Sequence, residues 1–274
     1  MILREGNYKT VFTYIDQKTK KKINDEKTLE WIHSLKIPPA YENVHISLHK
    51  NDKILAFGFD SKGRKQTIYN PIFIKQQSDK KFKKILENRQ VIQQLKIDIE
   101  KLLKSKNAKE KEIAIILFLI LHCGFRIGNK KYEEQNNSYG ISTIKKKHIV
   151  LQKNTVKISF IGKKGMLNEA ICNHPKIYKF FKEKRQEKDI ESIFSVTSSD
   201  VNTFLKHYHV NLTAKDLRTW DANTLFIQEA YKLGNINKAI EIVSQKLHNT
   251  KTVCRKNYID PNIIAFMEKE IKND

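Results

Sequence analysis

A tyrosine near the end of the chain stands among basic residues that could make its oxygen reactive. Tyr258 lies in TVCRKNYIDP, between cationic side chains and a turn-forming Asp-Pro pair. A phenol is a weak nucleophile until neighbouring groups activate it or stabilise the charge that develops. A tyrosine before a terminal helix usually serves packing, so a catalytic role depends on the cations that the fold brings near it.

The segment HCGFRIGN places an arginine at the end of an apolar helix. Arg126 follows that helix directly and precedes Gly128, where the chain can turn the guanidinium toward a ligand. A cation at this position also suits the negative end of the helix dipole, so a structural role is the alternative. Lys130, Lys131 and Tyr132 add charge and an aromatic ring of the kind that contacts phosphates and base edges.

The segment TVKISFIGKKGMLNEAIC predicts a β-hairpin with lysines at its tip. Val156, Ile158 and Phe160 alternate with polar residues, and two glycines bound a tight turn that carries Lys163 and Lys164. A lysine held beside arginines would have a lowered pKa, which suits it to donate a proton to a departing oxygen. An ordinary polar surface turn is the alternative.

The segment NLTAKDLRTWD places two cations at the start of a helix. Thr213 and Asp216 form a capping box, so Lys215 and Arg218 lie in the first turns. The positive end of the helix dipole repels both cations unless an anion binds there. This placement therefore favours an anionic ligand.

The segment KLHNTKTVCRKNYIDP surrounds the tyrosine. A helix over NKAIEIVSQKLH is expected to end at Asn249, and a short linker then reaches Tyr258. Asp260 and Pro261 signal the start of a last helix. The tyrosine is therefore expected between the linker and this helix.

The composition indicates an acidic partner. The 274 residues carry a formal net charge of +22, with a pI near 9.7. Lys and Arg that neutralise phosphates release condensed counterions, so such a surface favours polyanions; lysines that merely solvate the protein are the alternative. The cysteines are far apart and lack CxxC pairing, so neither a zinc site nor a disulfide framework is expected, and a reducing intracellular compartment fits best.

Two regions of different periodicity predict two domains and an α+β fold. Residues 1–77 have the pattern of a small antiparallel sheet, and residues 78–274 that of a mainly helical domain with a small three-stranded sheet. The apolar run IAIILFLIL is too short to span a bilayer and predicts a buried core helix. Strands are expected at 10–15, 43–49, 53–59 and 65–70, a helix at 26–35, helices from 78 to 103 and from 108 to 125, a β-region at 148–172, and helices from 175 onward.

Together these segments resemble the type IB DNA topoisomerases, in the compact form found in poxviruses, other large DNA viruses and some bacteria. The resemblance covers nearly the whole chain and implies the catalytic fold that these enzymes share with tyrosine recombinases. It rests on six motifs in register: IPPAYENVHI, GFDSKGRKQTIYN, FRIGN, FIGKKG, KDLRTW and NTKTVCRKNYIDP.

The resemblance implies a mechanism that relaxes positive and negative supercoils without ATP, metal or other cofactor. Tyr258 would attack a DNA phosphodiester and form a 3′-phosphotyrosyl enzyme, and the freed strand would swivel before religation. Arg126 and Arg218 would hold the non-bridging oxygens, and Lys163 would protonate the leaving 5′ oxygen.

One position departs from the poxvirus pattern. Nine residues before the tyrosine the poxvirus enzymes have histidine, whereas this chain has Asn249, as bacterial relatives often do. Asn249 would be a neutral donor to a phosphate oxygen, and the adjacent His248 is the second candidate for that role.

The resemblance also implies contacts with duplex DNA. Arg64, Gln66 and Tyr69 match a stretch that lies against DNA in the family, although Thr67 replaces an aromatic residue of the poxvirus enzymes. Lys215 would add a further DNA contact. The implied enzyme is an intracellular, DNA-associated monomer that closes as a clamp around the duplex, with no membrane partner.

Two other classes of protein stay open. Tyrosine recombinases share the fold and nearly the same Arg, Lys, Arg, Tyr set, but they usually carry histidine three residues before the second arginine, where this chain has Lys215. The sixteen residues after Tyr258 also leave little length for the segment exchange that recombinases use. The other alternative is a noncatalytic DNA-binding protein on the same scaffold, which the intact tyrosine, arginines and lysine disfavour.

Overall fold

The computed structural model of this chain forms two units, each with its own core. Contacts within the chain divide it into Met1–Lys83 and Lys84–Asp274. The fold is α+β, as expected, with an antiparallel sheet in the first unit and a mainly helical second unit that contains a small sheet. The residues that the structure describes are 1–7, 9–187, 191–209 and 211–273.

The sheet of the first unit is antiparallel and packs against one helix. Helix α1 (Glu26–Ser34) contributes Ile32 to a cluster with Ile2 and Ile46 of the sheet. The sheet consists of β1 (Ile2–Glu5), β2 (Thr13–Asp16), β3 (Glu42–Ile46), β4 (Ile54–Phe59) and β5 (Lys65–Tyr69), in the spatial order β2-β1-β3-β4-β5. The sequence patterns do not predict β1, because its 4 residues are too few to show an alternation.

The second unit combines helices with a three-stranded antiparallel sheet. The strands, in order across the sheet, are β6 (Ile149–Gln152), β7 (Thr155–Ile161) and β8 (Leu167–Cys172). The helices after α1 are α2 (Pro71–Glu87), which runs from the first unit into the second, α3 (Arg89–Leu102), α4 (Ala108–Cys123), α5 (Lys130–Asn136), α6 (Pro175–Gln186), α7 (Ser198–Tyr208), α8 (Ala214–Leu233), α9 (Ile236–Lys246), α10 (Lys251–Asn257) and α11 (Pro261–Asn273).

Two boundaries differ from those expected. Helix α2 begins at Pro71, a residue suited to the first helical position, so the division expected after residue 77 falls within this helix. The helix expected from 78 to 103 is interrupted at Asn88, whose backbone has φ −89° and ψ 13°. The buried Asn88 side chain donates to the carbonyl of Lys84 at 2.8 Å, which stabilises the break.

Helix α4 lies at the centre of the larger core. Every residue from Ile113 to Leu121 is buried, which confirms the predicted core helix. Asn107 caps the first turn, where its side chain accepts two backbone N–H groups, and Gly124 ends the helix. No described helix is long and apolar enough to cross a membrane.

Helix α8 joins the two hydrophobic cores of the second unit. Leu217 near its start belongs to the core around α4, whereas Phe226 belongs to a smaller core formed with α9, α10 and α11. Thr213 caps the helix and Asp216 completes the capping box, as predicted. Arg218 therefore lies where the two cores meet.

Candidate active site

Arg218 is buried, and three of its N–H groups are bonded. The residue is 2% exposed, and its Nε donates to the carbonyl of Gly124 at 2.8 Å while Nη2 donates to the carbonyl of Leu247. Its Nη1 donates to the hydroxyl of Tyr258 at 2.5 Å, and the guanidinium carbon lies 4.7 Å from the centre of the tyrosine ring. These bonds fix the guanidinium plane and hold the phenol oxygen beside it.

The charge of Arg218 is held in an unfavourable environment. Burial lowers the pKa of its guanidinium to about 10; Tyr258 opposes this shift, and the charge of Arg126 adds to it. The side chain stays a cation at neutral pH because that pKa is well above neutrality. A buried cation near another cation costs free energy, which a bound anion would offset.

Tyr258 follows α10, a short helix in the place of the expected linker. Residues 251–257 are helical and Thr250 caps them, so the linker prediction is wrong. Tyr258 is 7% exposed and packs in the smaller core, but its hydroxyl contacts Arg218. Because α10 is a rigid element, it fixes the distance between Asn249 and the tyrosine.

Arg126 and Asn249 form a second polar pair in this region. Nη2 of Arg126 donates to Oδ1 of Asn249. Nη1 of Arg126 and Nδ2 of Asn249 are buried and have no hydrogen-bond partner in the part of the chain that the structure describes. A buried donor without a partner costs roughly 1–3 kcal/mol, so two of them together call for a ligand that accepts from both.

Backbone hydrogen bonds tie Arg126 to the hairpin of β7 and β8. The carbonyl of Arg126 accepts the N–H of Ile141 at 2.8 Å, and the N–H of Tyr139 donates to the carbonyl of Ile161 at 2.9 Å. Ile161 is the last residue of β7, so residues 139–141 link the end of this strand to the backbone of Arg126.

The ring of His248 has other partners. Its Nε2 donates to the carbonyl of Cys123 at 3.0 Å, and the ring stacks on Phe125 with 5.2 Å between centres. Burial lowers the pKa of His248, and the charges of the two site arginines lower it further, against the effect of the hydrogen bond to Cys123. Helix α9 ends at Lys246 rather than at Asn249, and His248 has a left-handed backbone with φ +49°. Of the two candidate donors, Asn249 is the one that contacts the arginine.

Lys163 lies outside this buried group. The predicted hairpin is present, and Lys163–Gly165 form a 3₁₀ turn between β7 and β8. Lys163 is exposed on that turn. The structure therefore brings together Arg126, Arg218, Asn249 and Tyr258, and leaves the lysine at the surface.

The residues in and just before β5 that were expected to contact DNA are partly engaged with a carboxylate. Arg64 Nε and Gln66 Nε2 each donate to Oδ2 of Asp60 at 2.9 Å. The hydrogen bond from Arg64 holds the pKa of Asp60 well below its usual range. Tyr69, at the end of the same strand, is 40% exposed and packs near Phe73 with 5.8 Å between ring centres. Arg64 would have to share its bonds with Asp60 to contact a phosphate.

The other residues that were expected to contact DNA are exposed on helices of the second unit. Lys130, Lys131 and Tyr132 form the first turn of α5, and the tyrosine is 61% exposed. Lys215 is exposed in the first turn of α8, whereas Arg218 on the same helix is buried. The two cations predicted at this helix start therefore lie in different environments.

Asn223 is a site residue that the sequence patterns did not single out. It is buried on α8, where Nδ2 donates to the carbonyl of Tyr258 and Oδ1 accepts the N–H of Asp260, each at 2.8 Å. The amide thus holds the backbone from the carbonyl of Tyr258 to the N–H of Asp260, directly after the tyrosine side chain. A signal for it exists, because an asparagine stands among the core positions Ala222 and Phe226.

The arrangement suits an anionic substrate with several oxygens. Arg126 and Arg218 supply two cations, Asn249 supplies a neutral donor, and Tyr258 supplies an oxygen nucleophile. A phosphoryl group that gains charge as it is attacked matches this donor set. Among the described residues, no group of three His, Cys, Asp or Glu side chains could hold a metal ion.

Comparison with known proteins identifies the family. The family described as eukaryotic DNA topoisomerase I, catalytic core, matches residues 70–273, and bacterial DNA topoisomerase IB, N-terminal domain, matches residues 11–60. The chain belongs to the type IB DNA topoisomerases. It is thus an isomerase that acts on duplex DNA.

Several of the individual relatives are viral proteins. The chain is 30% identical to DNA topoisomerase 1B of Acanthamoeba polyphaga mimivirus over 299 aligned residues, which cover 94% of this chain and 86% of the mimivirus protein. It is 27% identical to DNA topoisomerase I of Monkeypox virus, over 69% of this chain and 66% of that protein. Among solved structures, a post-cleavage complex of the XerH site-specific recombinase bound to palindromic difH substrate is 13% identical, with a TM-score of 0.43 over 67% of this chain and 50% of that chain.

Proposed function

We propose that this topoisomerase relaxes positive and negative supercoils by cutting one DNA strand transiently, with Tyr258 as the nucleophile. The observation that carries the proposal is the hydrogen bond from Arg218 to the tyrosine hydroxyl, close to the unpartnered donors of Arg126 and Asn249. A nucleophilic oxygen, two cations and two free donors are thereby available to one phosphate.

The free donors would bind the non-bridging oxygens of the scissile phosphate. Nη1 of Arg126 and Nδ2 of Asn249 are the buried donors without partners. A guanidinium has five N–H groups, and the three bonds of Arg218 leave two N–H groups for an oxygen of the same phosphate. Charge-assisted bonds of this kind strengthen as negative charge builds up in the transition state.

The covalent step would exchange one phosphoester bond for another. The Tyr258 oxygen attacks phosphorus, the bond from Oη to phosphorus forms, and the bond from phosphorus to the 5′ oxygen breaks. The tyrosine proton passes to water, and the leaving 5′ oxygen takes a proton from the ammonium of Lys163. Because the phosphotyrosyl bond retains the energy of the broken ester, the reverse step would reseal the strand without ATP.

The role of Lys163 requires that bound DNA come to the hairpin turn. Lys163 is exposed there, and the hairpin is linked to the backbone of Arg126 through residues 139–141, which bond to the carbonyls of Ile161 and Arg126. A lysine on a fixed turn could meet the 5′ oxygen in a DNA groove while the arginines hold the phosphate.

Plasmid relaxation tests the proposed function. The protein is expected to relax both positively and negatively supercoiled plasmid in EDTA without ATP and to form a covalent adduct when denatured with SDS. Tyr258→Phe should still bind DNA and do neither. Tyr231→Phe is the matched control, because Tyr231 is 55% exposed on α8 and outside the site. Relaxation by the Tyr258→Phe protein would refute the assignment.

The role of Lys163 has its own test. Lys163→Ala is expected to slow cleavage by about 10²- to 10⁴-fold, the usual contribution of one general acid. A substrate with a bridging 5′-phosphorothiolate has a leaving group that needs no proton, so the variant should cleave it at nearly the normal rate. Equal slowing on both substrates would remove the acid role from Lys163.

We also propose that the enzyme works inside the cell as a monomer that closes around duplex DNA. The support is the formal net charge of +22 and the exposure of Arg64, Lys130, Lys131 and Lys215 on the two units. Sedimentation with and without a duplex would test the monomer, and a salt titration of binding would show how many phosphates are neutralised.

A further inference from the structure

The turn that carries Lys163 is closed by hydrogen bonds to its own backbone. The N–H of Gly162 donates to the carbonyl of Met166 at 2.8 Å, and the N–H of Gly165 donates to the carbonyl of Gly162 at 3.1 Å. Lys164 takes a left-handed conformation with φ +63°. Because Lys163 is exposed, the backbone of this turn decides where its ammonium is presented.

A buried amide supports the turn from inside the sheet. Asn168 on β8 is 1% exposed, and its Nδ2 donates to the carbonyl of Met166 at 2.9 Å. The same side chain lies against Gly162, where an added Cβ would come within 2.5 Å of Nδ2. Asn168 therefore contacts both ends of the turn that holds Lys163.

The other contacts of this strand position lead to the buried site. Asn168 pairs across the sheet with Phe160, and the ring of Phe160 lies 5.2 Å from that of Phe125, the residue before Arg126. Asn168 therefore supports the turn from a point on β8 that is linked, through Phe160 and Phe125, to the segment that carries Arg126.

Asparagine is energetically unfavourable at position 168, which is buried in a β-strand. Asn is depleted in β-strands, and burying its amide costs free energy unless every polar atom is satisfied. An apolar side chain would pack there without that cost, but it could not donate to the carbonyl of Met166. The amide is best explained by the shape of the turn.

We propose that Asn168 is a positioning residue that sets the location of the Lys163 ammonium through the backbone of the turn at 162–166. The proposal rests on the proposed function, in which Lys163 protonates the leaving oxygen. It assigns no contact between Asn168 and DNA.

Single-turnover cleavage of two substrates tests this role. Asn168→Ala is expected to slow cleavage of an ordinary phosphodiester by about tenfold, roughly the effect of one lost hydrogen bond to an oriented group. The same variant should cleave the 5′-phosphorothiolate substrate within about twofold of the normal rate, because that leaving group needs no proton. Equal slowing on both substrates, or no slowing on either, would overturn the proposal.

Two further variants separate positioning from a general effect on folding. Gly162→Ala pushes a Cβ against the Asn168 amide, so it should give the same substrate-dependent defect even if Asn168→Ala fails to fold. Glu169→Ala is the matched control, because Glu169 is the next residue on β8 and pairs with Lys157 at 3.1 Å rather than with the turn. It should cleave both substrates normally.

The Lys163→Ala background distinguishes failure of the inference from failure of the proposed function. Adding Asn168→Ala to Lys163→Ala should slow cleavage no further, since the two residues act through one proton transfer. If Lys163→Ala is rescued by the phosphorothiolate and Asn168→Ala is not, the positioning role alone is wrong. If neither is rescued, the acid role fails and the positioning role fails with it.

Discussion

Gly124 and Lys246 approach so closely that no side chain fits between them. A Cβ on Gly124 would lie 2.2 Å from the carbonyl oxygen of Lys246, and the glycine has φ +65°. The carbonyl of the same glycine accepts Nε of Arg218 at 2.8 Å. Gly124 is therefore the point where the end of α4, the end of α9 and Arg218 of α8 meet, and it leaves no room for a side chain.

Replacing Gly124 should damage both stability and catalysis. Gly124→Ala adds a left-handed alanine, which costs about 1–2 kcal/mol, and also an overlap that must displace the end of α9. The displacement would move Arg218 and the turn that carries Asn249, so we expect the cleavage rate to fall together with the free energy of unfolding. Denaturant unfolding and single-turnover cleavage measure the two effects.

Gly234→Ala is the control for that substitution. Gly234 also ends a helix with a left-handed backbone, φ +55°, but an added Cβ has no described atom within 4 Å. It should show the cost of the alanine conformation alone and leave cleavage unchanged. Equal losses of stability and of cleavage rate in Gly124→Ala and Gly234→Ala would mean that the backbone at Lys246 can move away from the added Cβ without disturbing the site.

Asn249 and His248 should differ sharply in their effect on catalysis. Asn249→Ala removes a buried donor beside Arg126, and loss of one donor to a developing charge costs about a hundredfold or more in rate. His248→Asn keeps a residue that tolerates φ +49° and removes a ring that binds Cys123. Its cleavage rate should stay within about threefold of normal. A larger loss from His248→Asn than from Asn249→Ala would reverse the assignment.

Asn249 and His248 show how far the sequence could predict which side chain contacts Arg126. The nine-residue spacing before Tyr258 favoured Asn249 and kept His248 as the second candidate, since spacing alone does not show which of two adjacent side chains faces Arg126. The structure separates them through the left-handed backbone of His248, which directs its ring to the carbonyl of Cys123. A conformation of this kind depends on tertiary contacts and has no local signature in the residues KLHNTK.

Strong local patterns, by contrast, were enough for the main elements of the fold. The continuous apolar run predicted α4, the alternation before Gly162 predicted β7, and the capping box at Thr213 predicted the start of α8. The linker before Tyr258 was predicted wrongly because TKTVCRKN has a cap at Thr250 but little apolar periodicity. Asn223 was missed because the two partners that link it to the tyrosine segment are backbone atoms more than thirty residues away.

The stability of the folded protein should depend on pH through His248. Burial and the two arginines lower its pKa below the ordinary value near 6.5, so the unfolded chain binds a proton before the native protein does. This histidine's contribution to the free energy of unfolding is therefore complete above about pH 7 and is lost as the pH falls through 6.5 and below. Unfolding of wild type and His248→Asn, measured from pH 8 to pH 5, should show a steeper decline for the wild type. Parallel curves would show that His248 has an ordinary pKa.

Asn223→Ala should release the backbone that directly follows the side chain of the nucleophile, from the carbonyl of Tyr258 to the N–H of Asp260. The substitution leaves the carbonyl of Tyr258 and the N–H of Asp260 without the partners that they now have at 2.8 Å, and both lie near a buried core. We expect the free energy of unfolding to fall by about 1–3 kcal/mol, the cost of unsatisfied buried groups. Cleavage should slow further than this loss of stability alone explains, because Arg218 would then be the main remaining support of the phenol oxygen.

The control for this prediction lies on the same helix, one residue later. Thr224→Ala also removes a hydrogen bond within α8, from Oγ1 to the carbonyl of Trp220 at 3.1 Å, but it leaves the tyrosine backbone untouched. If Asn223 positions the nucleophile, Asn223→Ala should slow the cleavage step at saturating DNA while DNA affinity stays normal, and Asn223→Asp should restore part of the rate, because a carboxylate can still accept the N–H of Asp260. Equal cleavage rates for Asn223→Ala and Thr224→Ala would show that Asn223 contributes only to core packing. Arg218 alone would then be enough to position Tyr258 for attack.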